Sequence, residues 1–130
     1  MAGLIYLDAS ACVKLVLAES ESRAVEAALE GVERLVASEI LEVEVVRATQ
    51  RGGGDVAAAR DLLGGVRLLP LSDEIRGRAS ELTPLSIRSL DAIHIATALD
   101  LGERLSGLFT YDERMAAAAR EAGLEVRAPA

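Results

Sequence analysis

Aromatic residues are scarce in this chain: they form 2% of its 130 residues, with one Phe, two Tyr and no Trp. Proteins that bind single-stranded nucleic acid by stacking bases need several exposed aromatic rings. The net charge of −7 also makes the surface as a whole repel nucleic acid. If RNA is a substrate, its attraction must therefore come from local arginines and bound cations.

Cysteine and lysine each occur once, as Cys12 and Lys14. A lone cysteine excludes an internal disulfide and a cysteine metal cluster, and its apolar surroundings indicate a small buried side chain. The apolar runs are too short for a membrane span. The first predicted strand follows Met1 so closely that no signal peptide is expected, and the predicted location is the cytoplasm.

Strands and helices are predicted to alternate along the whole chain. Strands are expected at 4–7, 34–38, 66–71 and 108–111, with a short one in LEVRA. Helices are expected at 9–18, 21–30, about 39–51, about 55–63, 72 or 73 to about 82, 89 to about 101 and 113–122. This order predicts an α/β fold in which helices flank both faces of a parallel β-sheet. The length predicts one domain covering residues 1–130.

Two aspartates follow predicted strands, Asp8 after LIYL and Asp112 after LFTY. Each can simply cap the helix that follows, because aspartate is among the best capping residues. In parallel sheets, however, ligands bind beyond the carboxyl ends of the strands, where both aspartates are expected to lie. The cap and the ligand-binding interpretations remain open for each residue taken alone.

Glu44 is predicted to face the protein interior. A helical wheel places it on the apolar stripe of the 39–51 helix, whereas Glu42 lies on the opposite side together with Thr49. A buried carboxylate is costly unless it is paired or bound to a metal. Its partner is either a metal ion or an arginine of the same helix, Arg47 or Arg51.

Asp91 begins DAIHIATAL, a helix that is apolar on nearly every side and is therefore predicted to be central. An acid in the first turn favours the helix dipole, but Ser89 is available as the cap. His94 lies one turn further on. We expect it to pack in the core or behind the site rather than to act as a general base, because a metal ion can activate water instead.

Four acids thus occupy positions that suit a metal site: Asp8, Glu44, Asp91 and Asp112. Carboxylate oxygens are hard ligands that suit Mg²⁺ or Mn²⁺. Such ions polarise a phosphodiester and activate water for in-line attack. Clustered carboxylates also need a cation, because like charges at short range do not all stay ionised.

The chain resembles the PIN-domain family, and within it the VapC-type ribonuclease toxins of toxin–antitoxin pairs. The resemblance covers the whole chain and rests on four segments in this order: YLDASACVKL, EVVRA, SLDAIHIATAL and FTYDERMAAAAREAGLEV. It implies that Asp8, Glu44, Asp91 and Asp112 form the catalytic metal site, which Ser10 and Thr110 support. It also implies Mg²⁺ or Mn²⁺, an RNA substrate, a cognate antitoxin, a homodimer and no membrane association.

Basic residues near these acids have two interpretations each. Lys14 either contacts phosphate or extends from a helix end toward solvent. Four arginines could steer RNA or could be ordinary surface residues: Arg47, Arg51, Arg88 and Arg114.

Other functions fit less well. A phospho-receiver domain needs adjacent acids after the first strand and a lysine after the last, but Ala9 follows Asp8. A haloacid-dehalogenase-type phosphatase needs an aspartate where Ser10 stands. A non-catalytic PIN-like binding module and a DNA nuclease of the same fold remain alternatives.

Overall fold

The computed structural model describes residues 3–130 and contains one five-stranded parallel sheet. The strands are β1 (Leu4–Leu7), β2 (Arg34–Ser38), β3 (Val66–Leu69), β4 (Leu105–Phe109) and β5 (Val126–Arg127). Their order across the sheet is β3-β2-β1-β4-β5, and every neighbouring pair is parallel. The predicted α/β fold with a parallel sheet is confirmed.

Seven α-helices connect the strands in the described part of the chain. They are α1 (Ala9–Val13), α2 (Ser22–Ala28), α3 (Ile40–Arg51), α4 (Val56–Leu63), α5 (Asp73–Ser80), α6 (Ser89–Leu101) and α7 (Glu113–Glu121). A single 3₁₀ turn, Gly102–Arg104, lies between α6 and β4.

Helices cover both faces of this sheet. The consecutive residues Ile5, Tyr6 and Leu7 of β1 are all fully buried. Because neighbouring side chains of a strand point to opposite faces, neither face of β1 is open to solvent. Helix α6 packs against β2 and β4 and also contacts α5.

The strand order changes direction between β1 and β4. The chain leaves β1 toward β2 on one side, and it leaves β4 toward β5 on the other. Crevices form at such a point beyond the carboxyl ends of the strands, and ligands bind there in open α/β sheets. The segments after β1 and β4 lie at this point, and they contain Asp8 and Asp112.

Several predicted boundaries are wrong. Helix α1 ends at Val13 rather than at 18, because Leu15 and Val16 donate to carbonyls three residues back and tighten the chain into turns. Strand β3 ends at Leu69, and α5 ends at Ser80. Strand β4 begins at Leu105, where it pairs with Leu4, and it ends before Thr110.

The predicted solvent-facing side of α3 is also partly wrong. Thr49 was expected there with Glu42, but it is fully buried. Its hydroxyl donates to the Val45 carbonyl oxygen at 2.7 Å, so the hydroxyl group is satisfied within its own helix. Helix α3 packs against both α1 and α4, and the buried face is therefore wider than one stripe. Glu42 is exposed, as predicted, and pairs with Arg60 at 2.7 Å.

Candidate active site

Asp8 caps α1 and also holds together the ends of β1 and β4. Its Oδ1 accepts from the Ala11 backbone N–H at 2.9 Å and from the Ser10 hydroxyl at 2.7 Å. Its Oδ2 accepts from the Thr110 hydroxyl. The capping interpretation is therefore confirmed, and it does not compete with a role in a site.

Ser10 and Thr110 join the two segments that follow β1 and β4. The Tyr111 backbone N–H donates to Ser10 Oγ at 2.8 Å, and the Asp112 N–H donates to Thr110 Oγ1 at 3.1 Å. The two hydroxyl oxygens are 3.3 Å apart. These contacts fix Asp8 relative to Asp112, although the residues are far apart in sequence.

Burial dominates the ionisation of Asp8. The residue is 6% exposed, and the loss of hydration raises its pKa above the usual aspartate value. Hydrogen bonds from Thr110, Ser10 and the Ala11 N–H act in the opposite direction but do not outweigh burial. A carboxylate in this state gains from a nearby cation, because a cation stabilises the charged form.

Asp112 caps α7, as expected, and is held differently from Asp8. Its Oδ1 accepts from the backbone N–H groups of Arg114 at 2.9 Å and Met115 at 3.1 Å. Its Oδ2 accepts from Arg88 Nη2 at 2.7 Å. Burial acts to raise the pKa of Asp112, but the two N–H groups and the Arg88 guanidinium outweigh it, so the pKa is lowered.

Arg88 bridges two of the predicted site acids. Besides Asp112, it contacts Asp91, with 3.2 Å between Arg88 Nε and Asp91 Oδ2. Ser89 was predicted to cap α6, but it is the first helical residue, and the cap position is held by Arg88 without a side-chain capping bond. Asp91 is not a cap either, so its carboxylate is available to the site. The coulombic attraction of Asp91 is the largest cause that raises the pKa of Arg88.

Glu44 is paired with His94 rather than with an arginine. Its Oε1 lies 2.6 Å from His94 Nε2. The prediction of Arg47 or Arg51 as the alternative partner is wrong, because no contact joins either arginine to Glu44 in residues 3–130. The Glu44 side chain is 20% exposed, which places it at the edge of the buried face rather than inside it.

All four predicted acids line one cavity of about 410 Å³ beyond the carboxyl edge of the sheet. Its lining also includes Ser10, Arg88 and His94. The structure therefore brings together the acids that were selected from strand ends and helix faces. Thr110 lies behind Asp8 and does not line the cavity itself.

The donor set suits a hard cation, although its atoms are not already gathered around one point. Within residues 3–130, no group of three or more His, Cys, Asp or Glu side chains is arranged to hold a metal. Over the same range, Glu44 Oε2 and Asp91 Oδ1 have no hydrogen-bond partner. Oxygen donors of this kind fit Mg²⁺ or Mn²⁺, and a bound cation would compete with Arg88 for Asp91 and Asp112.

A second cavity of about 650 Å³ continues from the first along α1 and α3. It shares Ser10 and Glu44 with the acidic cavity, and Arg47 and Arg51 line its far part. Lys14 also lines it but is not free. It pairs with Glu21 at 2.7 Å and Glu19 at 3.3 Å.

Together these features define a class of protein: an α/β fold with a carboxylate cavity at the direction change of a parallel sheet. The PIN domain family matches residues 5–121. Ribonuclease VapC46 of Mycobacterium tuberculosis is 42% identical over 96% of this chain and 97% of its own length. Ribonuclease VapC47 of the same organism is 36% identical over 97% of each chain. This chain belongs to the PIN-domain family, within the group of the VapC ribonucleases.

Solved structures support the same fold. The Mycobacterium tuberculosis toxin VapC20, which cleaves the sarcin–ricin loop, superposes with a TM-score of 0.76 at 18% identity, over 96% of this chain and 99% of its own. A toxin–antitoxin complex from Klebsiella pneumoniae gives a TM-score of 0.70 at 23% identity, over 97% of this chain and 98% of the matched chain.

Sequence reasoning missed two contacts of the site, the Arg88 bridge and the place of Tyr6 behind His94. Tyr6 lies in a buried strand, and its hydroxyl reaches His94 Nδ1 at 2.6 Å. A buried tyrosine hydroxyl needs a hydrogen-bond partner, so the sequence did indicate that Tyr6 contacts some polar group. The identity of that partner was not readable, because it lies 88 residues away.

Proposed function

We propose that this protein is a Mg²⁺- or Mn²⁺-dependent endoribonuclease and the toxin of a toxin–antitoxin pair. The observation that carries this proposal is the convergence of Asp8, Glu44, Asp91 and Asp112 on one cavity. The relatives named as ribonucleases, which match nearly the whole chain, give the reaction class. Residues 1–130 form one catalytic domain in this proposal.

The contacts of Asp8, Asp91 and Asp112 indicate their parts in the proposed reaction. Asp8 is oriented by Ser10 and Thr110, which hold its two carboxylate oxygens in place. Asp91 and Asp112 lie within reach of Arg88, which would turn to the phosphate once a cation takes its place. A divalent ion bound there would polarise the phosphodiester and lower the pKa of a water molecule.

The RNA strand is proposed to follow the second cavity. Arg47 and Arg51 lie one turn apart on α3, and no ion pair occupies either side chain in residues 3–130. Phosphate contacts by such arginines offset the net negative charge of the surface. Arg114 lines neither cavity, so the proposed path of the RNA does not include it.

The cognate antitoxin is proposed to inhibit the site with an arginine. Arg88 already shows that two of the acids accept a guanidinium at hydrogen-bond distance. Charge-assisted pairs of this kind are strong, and an arginine from another chain would exclude the metal ion in the same way. Solved relatives of this fold include a toxin–antitoxin complex.

A homodimer and a cytoplasmic site of action complete the proposal. Leu85 is a large apolar side chain that is exposed and lines neither of the two cavities, so it is a candidate for contacts with a second copy. Light scattering would give the mass in solution. Among residues 3–130, no helix is both long and apolar enough to cross a membrane.

Cleavage assays on matched RNA and DNA test the reaction. Purified protein should cleave RNA with Mg²⁺ or Mn²⁺ and should lose this activity in excess EDTA. Preferential cleavage of DNA would replace the proposal by a DNA nuclease. Binding of RNA without cleavage, at saturating metal, would indicate a non-catalytic binding module.

Growth assays test the toxin role. Expression of the wild type alone should arrest growth, and co-expression of the antitoxin should relieve the arrest. Asp8→Asn serves as the control, because it keeps the cap and the fold but removes a charged ligand. If the wild type is folded and cleaves RNA in vitro but its expression does not harm the cells, the toxin role is contradicted. The proposed ribonuclease activity would still stand.

A further inference from the structure

Three side chains form a continuous hydrogen-bonded row from the sheet to the acidic cavity. The Ser38 backbone N–H donates to the Tyr6 hydroxyl oxygen at 2.9 Å. That oxygen lies 2.6 Å from His94 Nδ1, and His94 Nε2 lies 2.6 Å from Glu44 Oε1. The row joins β2, β1, α6 and α3.

The hydrogen bond between His94 and Glu44 determines which atom is the donor in each bond of this row. An ionised carboxylate only accepts, so His94 Nε2 must carry the hydrogen that it shares with Glu44. In the neutral imidazole, Nδ1 then has a lone pair and accepts from the Tyr6 O–H. Burial strongly raises the pKa of Tyr6, so the phenol keeps the proton that it donates.

His94 is buried more deeply than Glu44. It is 2% exposed, and its ring meets the Tyr6 ring edge to face, with the centroids 5.6 Å apart. Glu44 is a longer side chain that borders the cavity. The contact with His94 fixes Oε1, and Oε2 has no hydrogen-bond partner in residues 3–130.

We propose that His94, held by Tyr6, is a positioning residue that orients Glu44 for a divalent cation. The proposal rests on the proposed function, since it takes Glu44 as a metal ligand. In metal sites, residues behind the ligands commonly orient them, and their loss reduces metal affinity by about 10- to 100-fold. The cation itself does not contact His94 in this arrangement.

Mn²⁺ titration of the full chain, followed by calorimetry or by the spin resonance of free Mn²⁺, tests this role. His94→Leu should weaken Mn²⁺ binding by about 10- to 100-fold, because the donor to Glu44 is lost. His94→Gln retains an N–H at the position of Nε2 and should recover most of the affinity. Tyr6→Phe should weaken binding in the same direction but less, because His94 keeps its packing.

A double-mutant cycle separates positioning from a general effect on the fold. In the Glu44→Gln background, His94→Leu should cause little further loss of Mn²⁺ affinity, because the two residues act as one unit. Thr49→Val is the matched control: it removes a buried hydroxyl from α3 without touching Glu44. It should change the melting temperature but not the Mn²⁺ affinity.

The outcomes distinguish the two proposals. If Glu44→Gln weakens Mn²⁺ binding but folded His94→Leu and Tyr6→Phe bind like the wild type, the positioning role is wrong and the metal site stands. Additive losses in the double mutant would also overturn it. If His94→Leu fails to fold, Tyr6→Phe decides: wild-type Mn²⁺ affinity in this variant would overturn the positioning role, and a reduced affinity would support it. If the wild type binds no Mn²⁺, both proposals fail.

Discussion

Asp8 and Asp112 both follow strands and both cap helices, yet their pKa values are shifted in opposite directions. We call Asp8, Ser10 and Thr110 the hydroxyl side of the cavity. We call Arg88, Asp91 and Asp112 its arginine side. On the hydroxyl side, only neutral donors bond to the buried Asp8 carboxylate. Their effect on its pKa is smaller than the effect of burial, so the pKa is raised.

The arginine side is more open and contains its own cation. The Asp112 side chain is 31% exposed, and the Arg88 side chain is 59% exposed. Capping and charge together lower the pKa of Asp112 there. Equivalent positions at a sheet edge therefore differ in pKa according to their burial and the charges near them. In the proposed metal site, a cation would stabilise the charged form of Asp8. Asp91 and Asp112 would have to release Arg88 before they could bind a cation.

The largest effect is expected from Asp8→Asn on the hydroxyl side. Loss of a charged ligand should reduce the rate of RNA cleavage by more than about 100-fold. That factor is the upper range for residues that only orient metal ligands. The metal-free variant should be at least as stable as the wild type, since a costly buried charge is removed. Cleavage rates at saturating Mn²⁺ and melting temperatures in EDTA measure both. A strong loss of metal-free stability would show that Asp8 is chiefly structural.

Thr110→Val should be the most destabilising change among the neutral donors. The substitution keeps the shape but removes the hydrogen bond to the buried Asp8 carboxylate, which costs about 1.5–3 kcal/mol when the acceptor is charged. It also removes the acceptor of the Asp112 N–H, just as Ser10→Ala removes the acceptor of the Tyr111 N–H. Urea unfolding at neutral pH without metal measures the loss. Ser10→Ala is the comparison, and we expect a smaller loss because the Ala11 N–H still donates to the same oxygen. Equal stability of Thr110→Val and wild type would argue that Asp8 is protonated there.

The two sides should respond oppositely to pH in EDTA. Folding favours protonated Asp8, so its stabilising contribution is present below the usual aspartate pKa and is lost as pH rises through the raised folded pKa. The contribution of Asp112 is present above the usual pKa and is lost as pH falls through the lowered one.

Unfolding free energies from acid to neutral pH test this contrast. Relative to the wild type, Asp8→Asn should gain stability as pH rises, whereas Asp112→Asn should lose it. Parallel pH profiles of the two variants would mean that the two sides do not differ in ionisation.

Arg88→Gln should produce a modest gain in Mn²⁺ affinity, by a few-fold, because the cation that competes for Asp91 and Asp112 is removed. Cleavage should nevertheless decrease if Arg88 contacts phosphate. Mn²⁺ titration without RNA separates these effects. Weaker Mn²⁺ binding would show that Arg88 assembles the acids rather than competing with the ion.

The smallest effect is expected from Glu42→Gln on the exposed side of α3. Its ion pair with Arg60 is solvent-exposed, and such pairs contribute about 0.2–1 kcal/mol. Cleavage, Mn²⁺ affinity and the melting temperature should match the wild type closely. If Glu42→Gln lost as much Mn²⁺ binding as Glu44→Gln, Glu42, and not Glu44 alone, would belong to the metal site.

The order of strands and helices, and the positions of the acids along them, could be read from the amino-acid sequence. Period and capping residues are local properties, so they identified Asp8, Asp112 and the inward tendency of Glu44 without any knowledge of the fold. They also located most elements, with errors mainly at the ends of α1, β3, α5 and β4, where turn contacts rather than composition decide the boundary.

Tertiary structure alone decided the partners. His94 meets Glu44 across 50 residues and Tyr6 across 88, and Arg88 meets Asp112 across 24. Such pairs depend on the strand order, which places β1 beside β4 and lets Glu44 of α3 meet His94 of α6. The burial of Thr49 has the same origin, because the width of a helix's buried face is set by how many neighbours pack on it. Local periodicity reports which residues are apolar, but only the assembled sheet determines which polar groups meet.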